Sequence, residues 1–301
     1  MSGTKRAGGP DRRGSGQAGA GDQLGTKRAG GPDRRGSGQA GAPGPASVGA
    51  VTYVGHSTVL LELAGARLLT DPMLRDRVGL LRRHPPPVAP ATRSGLDAVL
   101  ISHLHRDHLD SRSMRQIEAG TAVVVPRGGG SLVSRFGRFE VHEVSAGESV
   151  RIGGAEVLAV PADHDGRRDP WGTGDGALPL GYLIGAEGSR TYFAGDTDIF
   201  EQMSDLGEVD LALLPVWGWG HKLGSGHLDP RSAARAAALI EPRVAVPIHW
   251  GTYHPALLGW TMGDRLTEPP REFARAAAEL APRVRVEVLE PGDTLSLPDP
   301  R

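Results

Sequence analysis

The stretch ISHLHRDHLD, Ile101–Asp110, places five side chains that can bind a metal within eight positions. They are His103, His105, Asp107, His108 and Asp110. In an extended segment, residues two apart point the same way, so His103 and His105 can reach one ion. Asp107 and His108 begin the next turn and are expected to face a second position. One ion needs only three or four of these groups, so the surplus predicts two ions, about 3.5–4 Å apart.

Three other apolar runs also end in a side chain that can bind a metal. His164 follows AEVLAV, Asp196 follows RTYFAG, and His249 follows VAVPI. Strand ends are where rigid scaffolds present functional residues. A solvated, histidine-rich loop is the alternative interpretation of HLHRDH, and the three matching strand ends argue against it.

Composition limits the chemistry of this site. The chain of 301 residues has no Cys, which excludes disulfides, iron–sulfur clusters and thiolate zinc sites. Its formal net charge of −1 gives no sign of a polyanionic partner, so no nucleic-acid partner is expected. No apolar run approaches the roughly 18 residues that span a bilayer, and no charged-then-apolar leader is present. A cytoplasmic protein without a transmembrane segment is predicted by elimination.

The first 49 residues differ from the rest. GTKRAGGPDRRGSGQAGA occurs at Gly3–Ala20 and again, letter for letter, at Gly25–Ala42. Such a segment lacks apolar periodicity and cannot bury enough surface to offset its ordering entropy, so residues 1–49 are predicted to be a disordered tail. It carries eight Lys and Arg against three Asp, so it could contact nucleic acid or anionic lipid. An inert tandem duplication is the favoured interpretation.

From residue 50 to residue 301, short apolar runs alternate with turns and a few helices, which predicts one domain. LDAVLIS is a continuous apolar run, typical of a strand buried on both faces. DPRSAARAAALIEP begins with Asp-Pro, has an Ala-rich body and stops at Pro, which indicates a helix. Strand-rich halves with peripheral helices predict an α+β sandwich of two sheets covered by helices.

SHLHRDH, a later lone His, GDT and PIHWG together resemble the metallo-β-lactamase superfamily, whose signature is HxHxDH. The segments YVGHSTVLLELAGARLLTDPML, RRHPPPV and GHLDPRSAARAAALIEPRVAVPIHWGTY are similar to one branch of it. That branch contains N-acyl-phosphatidylethanolamine phospholipase D and ascorbate-6-phosphate lactonase-like proteins. The resemblance extends over essentially all of Ala50–Pro298.

The resemblance implies a four-layer αββα sandwich with a dinuclear site at one edge of the sheets. The first metal would be held by His103, His105 and His164. The second would be held by Asp107, His108 and His249, and Asp196 would bridge the two ions. Asp110 is left over and is interpreted as a helix-start residue or as a partner of the ligands.

A hydrolase is the function that this ligand set predicts. A hydroxide shared by two divalent ions is a strong nucleophile at neutral pH and would attack a phosphodiester, ester or lactone. Asp107 is expected to orient the attacking water as well as to bind metal. Nitrogen and oxygen ligands suit zinc first, and manganese or iron next.

Two further histidines match the branch. His227, in GSGHLDP, could position substrate or protonate the leaving group, or could serve only the loop before the helix. His56, in GHST, is assigned a structural hydrogen bond at a strand end in preference to a substrate-binding role. His84, His142, His221 and His254 have no matching context and are expected in loops or at the surface.

Substrate selection is less constrained. Met73–Val88 mixes apolar residues with Arg75, Arg77, Arg82 and Arg83, which would suit an anionic, lipid-like small molecule or an ordinary surface loop. Tryptophans at positions 171, 217 and 219 lie among glycines and could form mobile pocket walls or simply pack on the sandwich. Differences from the phospholipase pattern in these loops weaken a phospholipase D assignment.

Other classes of protein remain open at this point. A lactonase is one alternative to a phosphodiesterase. A di-iron redox protein on the same fold is another, although such proteins typically carry Glu where His105 stands. A non-catalytic metal-binding or nucleic-acid-binding module that uses the basic tail is the third, and the complete ligand set argues against it.

Overall fold

Two mixed β-sheets form the centre of the computed structural model, which describes residues 49–168, 176–217, 224–256 and 263–297. The strands of the first sheet are β1 (Gly49–Gly55), β2 (Thr58–Leu63), β3 (Ala66–Thr70), β6 (Ala98–Leu100), β7 (Ala122–Pro126), β8 (Glu140–Val144) and β17 (Thr294–Ser296). Those of the second are β9 (Ser149–Ile152), β10 (Ala155–Pro161), β11 (Leu180–Ala186), β12 (Ser189–Phe193), β13 (Leu211–Pro215), β14 (Val244–Ile248) and β16 (Arg285–Val286). A smaller sheet contains β4 (Arg77–Val78), β5 (Leu81–Arg83) and β15 (Tyr253–Pro255).

Strand order is similar in the two large sheets. The first has the order β17-β1-β2-β3-β6-β7-β8, and the second β16-β14-β13-β12-β11-β10-β9. Pairs from β17 to β3 are antiparallel and pairs from β3 to β8 are parallel. Likewise, pairs from β9 to β12 are antiparallel and pairs from β12 to β16 are parallel. Consequently β1, β3 and β6 run in one direction within their sheet, and β10, β12 and β14 share a direction within theirs.

The described α-helices are α1 (Ser111–Met114), α2 (Gly130–Val133), α3 (Pro230–Ile240) and α4 (Glu268–Leu280), with 3-10 helices at Pro90–Arg93, Glu201–Leu206 and Gly263–Leu266. The Asp-Pro start predicted for α3 is observed, because Asp229 and Ser232 form a reciprocal capping box there. Buried alanines on α3 allow close packing against α4, and the two helices contact β13 and β14. No helix in the described part of the chain is both long and apolar enough to cross a membrane.

The strands at the centre of the first sheet are buried on both faces, as the continuous apolar run predicts. Leu100 and Val124 point into the core shared by the two sheets, whereas Val99 and Val123 point into a second apolar cluster. Met114 of α1 and Leu132 of α2 complete that second cluster on the outer face. The predicted sandwich of two sheets covered by helices is therefore observed.

Two details differ from the sequence-based expectations. The segment Met73–Val88 is not a plain loop, because it contains the hairpin of β4 and β5, which pairs with β15. Within it, Arg83 is buried and donates hydrogen bonds to the backbone carbonyls of Val54 and Pro86. Its guanidinium therefore ties the hairpin to β1. The predicted disordered tail lies outside the described residues, except for Gly49, which begins β1.

Gly195 connects β12 to Asp196 in a conformation that leaves no room for a side chain. Its φ is +63°, and a Cβ at this position would lie 2.6 Å from the Cβ of Ser102. Ser102 immediately precedes His103. The close approach therefore brings the turn that holds Asp196, in the second sheet, against the segment Ile101–Asp110 of the first sheet. We call this segment the histidine loop.

We expect Gly195→Ala to lower the free energy of unfolding by about 2–4 kcal/mol, because the left-handed conformation and the steric overlap each cost about 1–3 kcal/mol. Urea unfolding would measure the change. Gly185→Ala is the matched control, since an added Cβ there meets nothing within 4 Å. Similar losses in the two variants would contradict the role assigned to Gly195.

Candidate metal centre

The predicted site residues lie at the carboxyl ends of strands that share a direction. His56 follows β1, Asp71 follows β3, His103 follows β6, His164 follows β10, Asp196 follows β12, and His249 follows β14. Strands with a common direction end at the same edge of a sheet, so three of these residues gather at an edge of each sheet. Short contacts between the two sets show that the two edges adjoin.

The first group of converging side chains consists of His103, His105 and His164. His105 Nδ1 lies 3.0 Å from His103 Nε2 and 3.1 Å from His164 Nε2. One nitrogen of each ring falls within 4.8 Å of the other two, which is close enough for all three to share an ion. These are the three residues that the resemblance assigns to the first metal.

The second group consists of Asp107, His108 and His249, with His56 beside them. The Nε2 atoms of His108 and His249 are 3.3 Å apart. Asp107 Oδ2 lies 3.9 Å from His108 Nε2 and 3.3 Å from His56 Nε2. The structure thus brings together the residues assigned to the second metal and adds His56, which the HxHxDH signature does not include.

Asp196 lies between the two groups. Its Oδ2 atom is 3.2 Å from His108 Nε2 and 3.3 Å from His249 Nε2, and Asp196 also groups with His164 of the first set. Its Oδ1 atom is buried and makes no hydrogen bond to any described residue. A buried carboxylate that lies within reach of both groups suits the bridging position that the resemblance implies.

Hydrogen bonds on the far side of the rings fix which nitrogen faces the centre. His164 Nδ1 lies 2.7 Å from the Gly226 carbonyl, and His249 Nδ1 lies 2.6 Å from the Trp217 carbonyl. A carbonyl can only accept, so each Nδ1 carries the proton and each Nε2 presents a lone pair to the centre. This is the arrangement that metal-binding histidines adopt.

Asp71 performs the same function for the histidines of the first sheet. His108 Nδ1 lies 2.7 Å from Asp71 Oδ2. Ser102 donates its hydroxyl to Asp71 Oδ2 at 2.5 Å, so Ser102 Oγ can accept the proton of His103 Nδ1 at 2.9 Å. The rings of His103 and His108 therefore also direct Nε2 toward the centre. The chain's donor set fits divalent metal ions.

Asp71 is the residue of the site that the sequence reasoning missed. It is fully buried and directly follows β3, in the segment LLTDP. The available signal was the one used elsewhere, a carboxylate immediately after a predicted strand. Its distance from HLHRDH in the sequence concealed the connection.

Electrostatics favour positive charge at the centre. Burial alone would raise the pKa of Asp196, but His249 and His108 hold it well below its usual range. Burial would likewise raise the pKa of Asp107, which His108 and His56 keep well below normal. Burial lowers the pKa of His164 to about 4 and that of His56 to about 3, so both rings are neutral at physiological pH. Burial would lower the pKa of His108 and that of His249, but Asp196 raises both above the usual range, so a metal ion would have to displace protons from these two rings.

One side of the centre faces solvent. His103, His108 and Asp196 are buried, whereas His105, Asp107, His164 and His227 are half-buried. His227 Nε2 lies 3.7 Å from Asp196 Oδ2, and its ring packs edge-on against that of His164. His227 thus lies at the accessible rim, where substrate would enter.

His56 forms hydrogen bonds at the end of β1. Its backbone N–H donates to Thr252 Oγ1 at 2.6 Å, and its carbonyl accepts from the His249 N–H at 2.8 Å. These bonds confirm the predicted structural role at a strand end. Its ring also lies 3.9 Å, centroid to centroid, from the ring of His249. Substrate binding by His56 stays a prediction.

The carboxylates near the candidate ligands differ in their hydrogen bonds. Asp110 caps α1 by accepting from the Ser113 N–H, as predicted for a helix-start residue. The partner of the His164 ring is Gly226 and not the flanking Asp163 or Asp165.

Two further aromatic side chains are wholly or partly buried. His254 is buried on β15, contrary to the expectation of a surface or loop residue. Trp217 packs against the core, whereas positions 171, 219 and 221 lie outside the described residues.

A model of the β-lactamase superfamily domain matches residues 66–250 of the chain. The matched segment runs from β3 to the residue after His249 and so includes Asp71 and all seven predicted ligands. The chain belongs to the β-lactamase superfamily.

Within the superfamily, the chain is similar to metal-dependent hydrolases. It is 33% identical over 263 residues to a UPF0173 metal-dependent hydrolase of Methanopyrus kandleri, covering 81% of this chain and 98% of the relative. It is 32% identical over 229 residues to an N-acyl-phosphatidylethanolamine-hydrolyzing phospholipase D of Caenorhabditis elegans, covering 67% of this chain and 64% of that protein. An uncharacterized protein of Mycobacterium tuberculosis is 35% identical over 234 residues, covering 72% of this chain. The chain spans only 62% of that relative's length.

Solved structures agree on the fold. Igni18, a metallo hydrolase of Ignicoccus hospitalis, matches with a TM-score of 0.59 and 25% identity over 82% of this chain and 97% of its own. CmlA, a diiron β-hydroxylase of Streptomyces venezuelae, matches with a TM-score of 0.63 and 21% identity over 85% of this chain and 55% of its own. The predicted family and metallo-β-lactamase fold are confirmed, and the predicted enzyme class agrees with the names of the relatives.

We expect Asp71→Asn to weaken metal affinity about 10–100-fold, as replacement of groups that orient metal ligands typically does. The amide would lose one acceptor oxygen and disturb the hydrogen bonds to Ser102 and His108. Competition with a chromophoric chelator would measure the affinity. Asp210→Asn is the matched control, because Asp210 is also buried but accepts from Arg190 and Arg243 at the opposite end of the second sheet. Equal weakening in both variants would argue against a specific role for Asp71.

Proposed function

We propose that this protein is a hydrolase that uses two divalent metal ions to cleave a phosphodiester, ester or lactone bond. The observation that supports it best is the convergence of five imidazole rings, four of them with a fixed lone-pair direction, on two positions that share Asp196. In this proposal, His103, His105 and His164 hold one ion and Asp107, His108 and His249 hold the other. The number of ions and the identity of the metal are part of the proposal.

Bound ions would supply a water of lowered pKa and would offset negative charge on the substrate oxygen during attack. The donors are nitrogen and oxygen only, since the chain has no Cys, and zinc is the first choice among metals that accept them. Manganese and iron are accommodated by the same donors.

Asp107 is the proposed orienting group for the attacking water. It is the one carboxylate of the centre with a substantially exposed side chain, at 26%, compared with 4% for Asp196. His56 Nε2 lies 3.3 Å from Asp107 Oδ2, so the position of this carboxylate is fixed by a neighbouring ring. Asp107 would therefore act both as ligand and as acceptor at the accessible side.

His227 is the proposed proton donor to the leaving group. Its Nε2 atom lies beside Asp196, while its side chain is 29% exposed at the rim of the centre. A histidine at this position can reach a leaving oxygen that points away from the buried ligands. The alternative role in the loop before α3 would leave catalysis unchanged when the ring is removed.

Substrate class follows from two supporting observations. One relative, at 32% identity, is named as hydrolysing N-acyl-phosphatidylethanolamine, a phosphodiester lipid. Arg77, from the segment Met73–Val88, also lines the same cavity as Arg106 of the histidine loop. Both favour a small anionic or lipid-like substrate. A lactone remains the second candidate within the hydrolases.

The redox alternative has less support. The similar diiron β-hydroxylase shares the fold at 21% identity, which carries no inference about chemistry. A histidine occupies position 105, where the redox proteins that share this fold typically have glutamate. Its Nδ1 atom is placed beside the other two rings of the first group. An oxygen-dependent reaction is therefore not proposed.

We expect the purified full chain to bind two divalent ions, and His164→Ala and His249→Ala each to bind about one, because these residues belong to different groups. Elemental analysis after zinc loading would count the ions. His142→Ala is the control, because His142 lies on β8 and pairs with Glu140 outside the centre. Binding of a single ion by the unaltered chain would contradict the dinuclear proposal.

We expect zinc- or manganese-loaded protein to hydrolyse bis(p-nitrophenyl) phosphate faster than a simple lactone, and Asp107→Asn to lower kcat at least about 100-fold. Asp163→Asn is the control, since that carboxylate lies next to His164 outside the ligand set. A lactone preference would select the lactonase alternative. Absence of hydrolysis of both substrates by protein that holds its metals would overturn the hydrolase proposal for these bonds.

A further inference from the structure

His56 has a left-handed backbone conformation, with a φ of +57°, which is uncommon for a residue other than glycine. In the described part of the chain, six non-glycine residues have a positive φ, and three of them, His56, Asp71 and His249, lie at the candidate metal centre. Such strained conformations persist where the surrounding structure enforces them, and they cluster at functional sites. Asp71 orients histidine rings and His249 is a candidate ligand, so a role at the centre is expected for His56 as well.

The backbone of His56 is held by residues that follow β14. Its N–H donates to Thr252 Oγ1 at 2.6 Å, and its carbonyl accepts from the His249 N–H at 2.8 Å. The Thr252 hydroxyl donates in turn to the Trp250 carbonyl at 2.9 Å. These bonds connect the end of β1, in the first sheet, to the end of β14, in the second. They fix the point from which the His56 ring leaves the backbone.

The ring of His56 contacts one candidate ligand from each sheet. Its Nε2 atom lies 3.3 Å from Asp107 Oδ2, in the histidine loop. Its centroid lies 3.9 Å from that of the His249 ring, with 39° between the two planes. The His56 side chain is 4% exposed and that of Asp107 is 26% exposed, so the ring supports this carboxylate from the interior of the protein.

The contact between His56 and Asp107 is a hydrogen bond that the ring donates. An ionised carboxylate can only accept, so His56 Nε2 carries the proton and has no lone pair for a metal ion, although this residue lies near enough to the second group to be considered as a ligand. Ring packing agrees with this assignment. The three rings of the first group stand nearly perpendicular to one another, at 77° to 79°, whereas the His56 ring lies tilted against that of His249.

We propose that His56 is a positioning residue for the second metal ion. Its ring holds Asp107 by a hydrogen bond and packs against His249, so these two candidate ligands keep the positions that an ion between them requires. Groups that orient metal ligands from outside the ligand set typically change metal affinity about 10–100-fold. The role of His56 rests on the proposed function, because it requires that Asp107 and His249 bind a metal ion.

Two substitutions separate the hydrogen bond of the ring from the conformation of the backbone. Asn tolerates the left-handed region better than most residues, but its amide nitrogen reaches only about as far as Nδ1 of a histidine. Gln suits that region less well, but its amide nitrogen reaches about as far as Nε2 and can donate to Asp107. We therefore expect His56→Asn to be the more stable variant and His56→Gln to bind the second ion more tightly. A role limited to the fold would rank stability and affinity in the same order.

Competition with a chromophoric chelator would measure zinc affinity, and thermal unfolding of the metal-free full chain would measure stability. His164→Ala is the background in which only the second group is complete, and His249→Ala is the one in which only the first is. In the His164→Ala background, we expect His56→Asn to weaken zinc binding about 10–100-fold and His56→Gln less than about fivefold. In the His249→Ala background, each is expected to change it less than about twofold.

The matched control is Glu187→Asn, which places Asn at another left-handed residue, in the exposed turn between β11 and β12. It is expected to leave zinc affinity unchanged in both backgrounds. An unchanged affinity in His56→Asn would overturn the proposal. Equal weakening by Asn and Gln, as expected if His56 were a direct ligand, would also overturn it, and so would equal weakening in the two backgrounds.

The number of ions bound by the unaltered chain tests the proposed function separately. Binding of one ion would contradict the dinuclear site but not the role of His56. In that case, the same comparison of His56→Asn with His56→Gln is made in the unaltered chain. Tighter zinc binding by the Gln variant would support the role of His56, and equal binding would overturn it.

Discussion

The buried carboxylate of Asp71 is the constraint on which the rest of the centre depends. It accepts from the Ser102 N–H at 2.8 Å and from His108 Nδ1 at 2.7 Å, so it contacts the histidine loop near both of its ends. Burial raises the pKa of Asp71, which reflects the cost of keeping this charge away from water. Three hydrogen bonds and the charge of His108 offset part of that cost. Without the hydrogen bonds to Asp71, the rings of His103 and His108 would not be held in one direction.

The two large sheets bring several strand ends to one edge through the same arrangement of strands. Each has three antiparallel pairs and three parallel pairs, so several strands in each sheet end at one edge. The first sheet contributes its ligands from one continuous turn after β6, whereas the second contributes single residues after β10, β12 and β14. Gly195 then determines how closely the two edges approach, since only hydrogen fits between its backbone and Ser102.

This difference explains what could be predicted from the sequence. The candidate ligands after β6 form a local pattern, and the single candidate ligands of the second sheet each follow a recognisable apolar run, so all seven could be proposed without a structure. The partners of their outward nitrogens could not. Gly226 and Trp217 act through backbone carbonyls, which every residue possesses, and their positions depend on loops far apart in the chain.

The charge balance of the proposed metal centre determines which substrates it would attract. Two divalent ions would bring four positive charges, and Asp71, Asp107 and Asp196 supply three negative ones. Neutral imidazoles would add nothing to this balance, so the centre would keep about one positive charge before a hydroxide binds. Carboxylates placed to retain metals therefore leave the accessible side positive. An anionic substrate would therefore be attracted to the proposed centre.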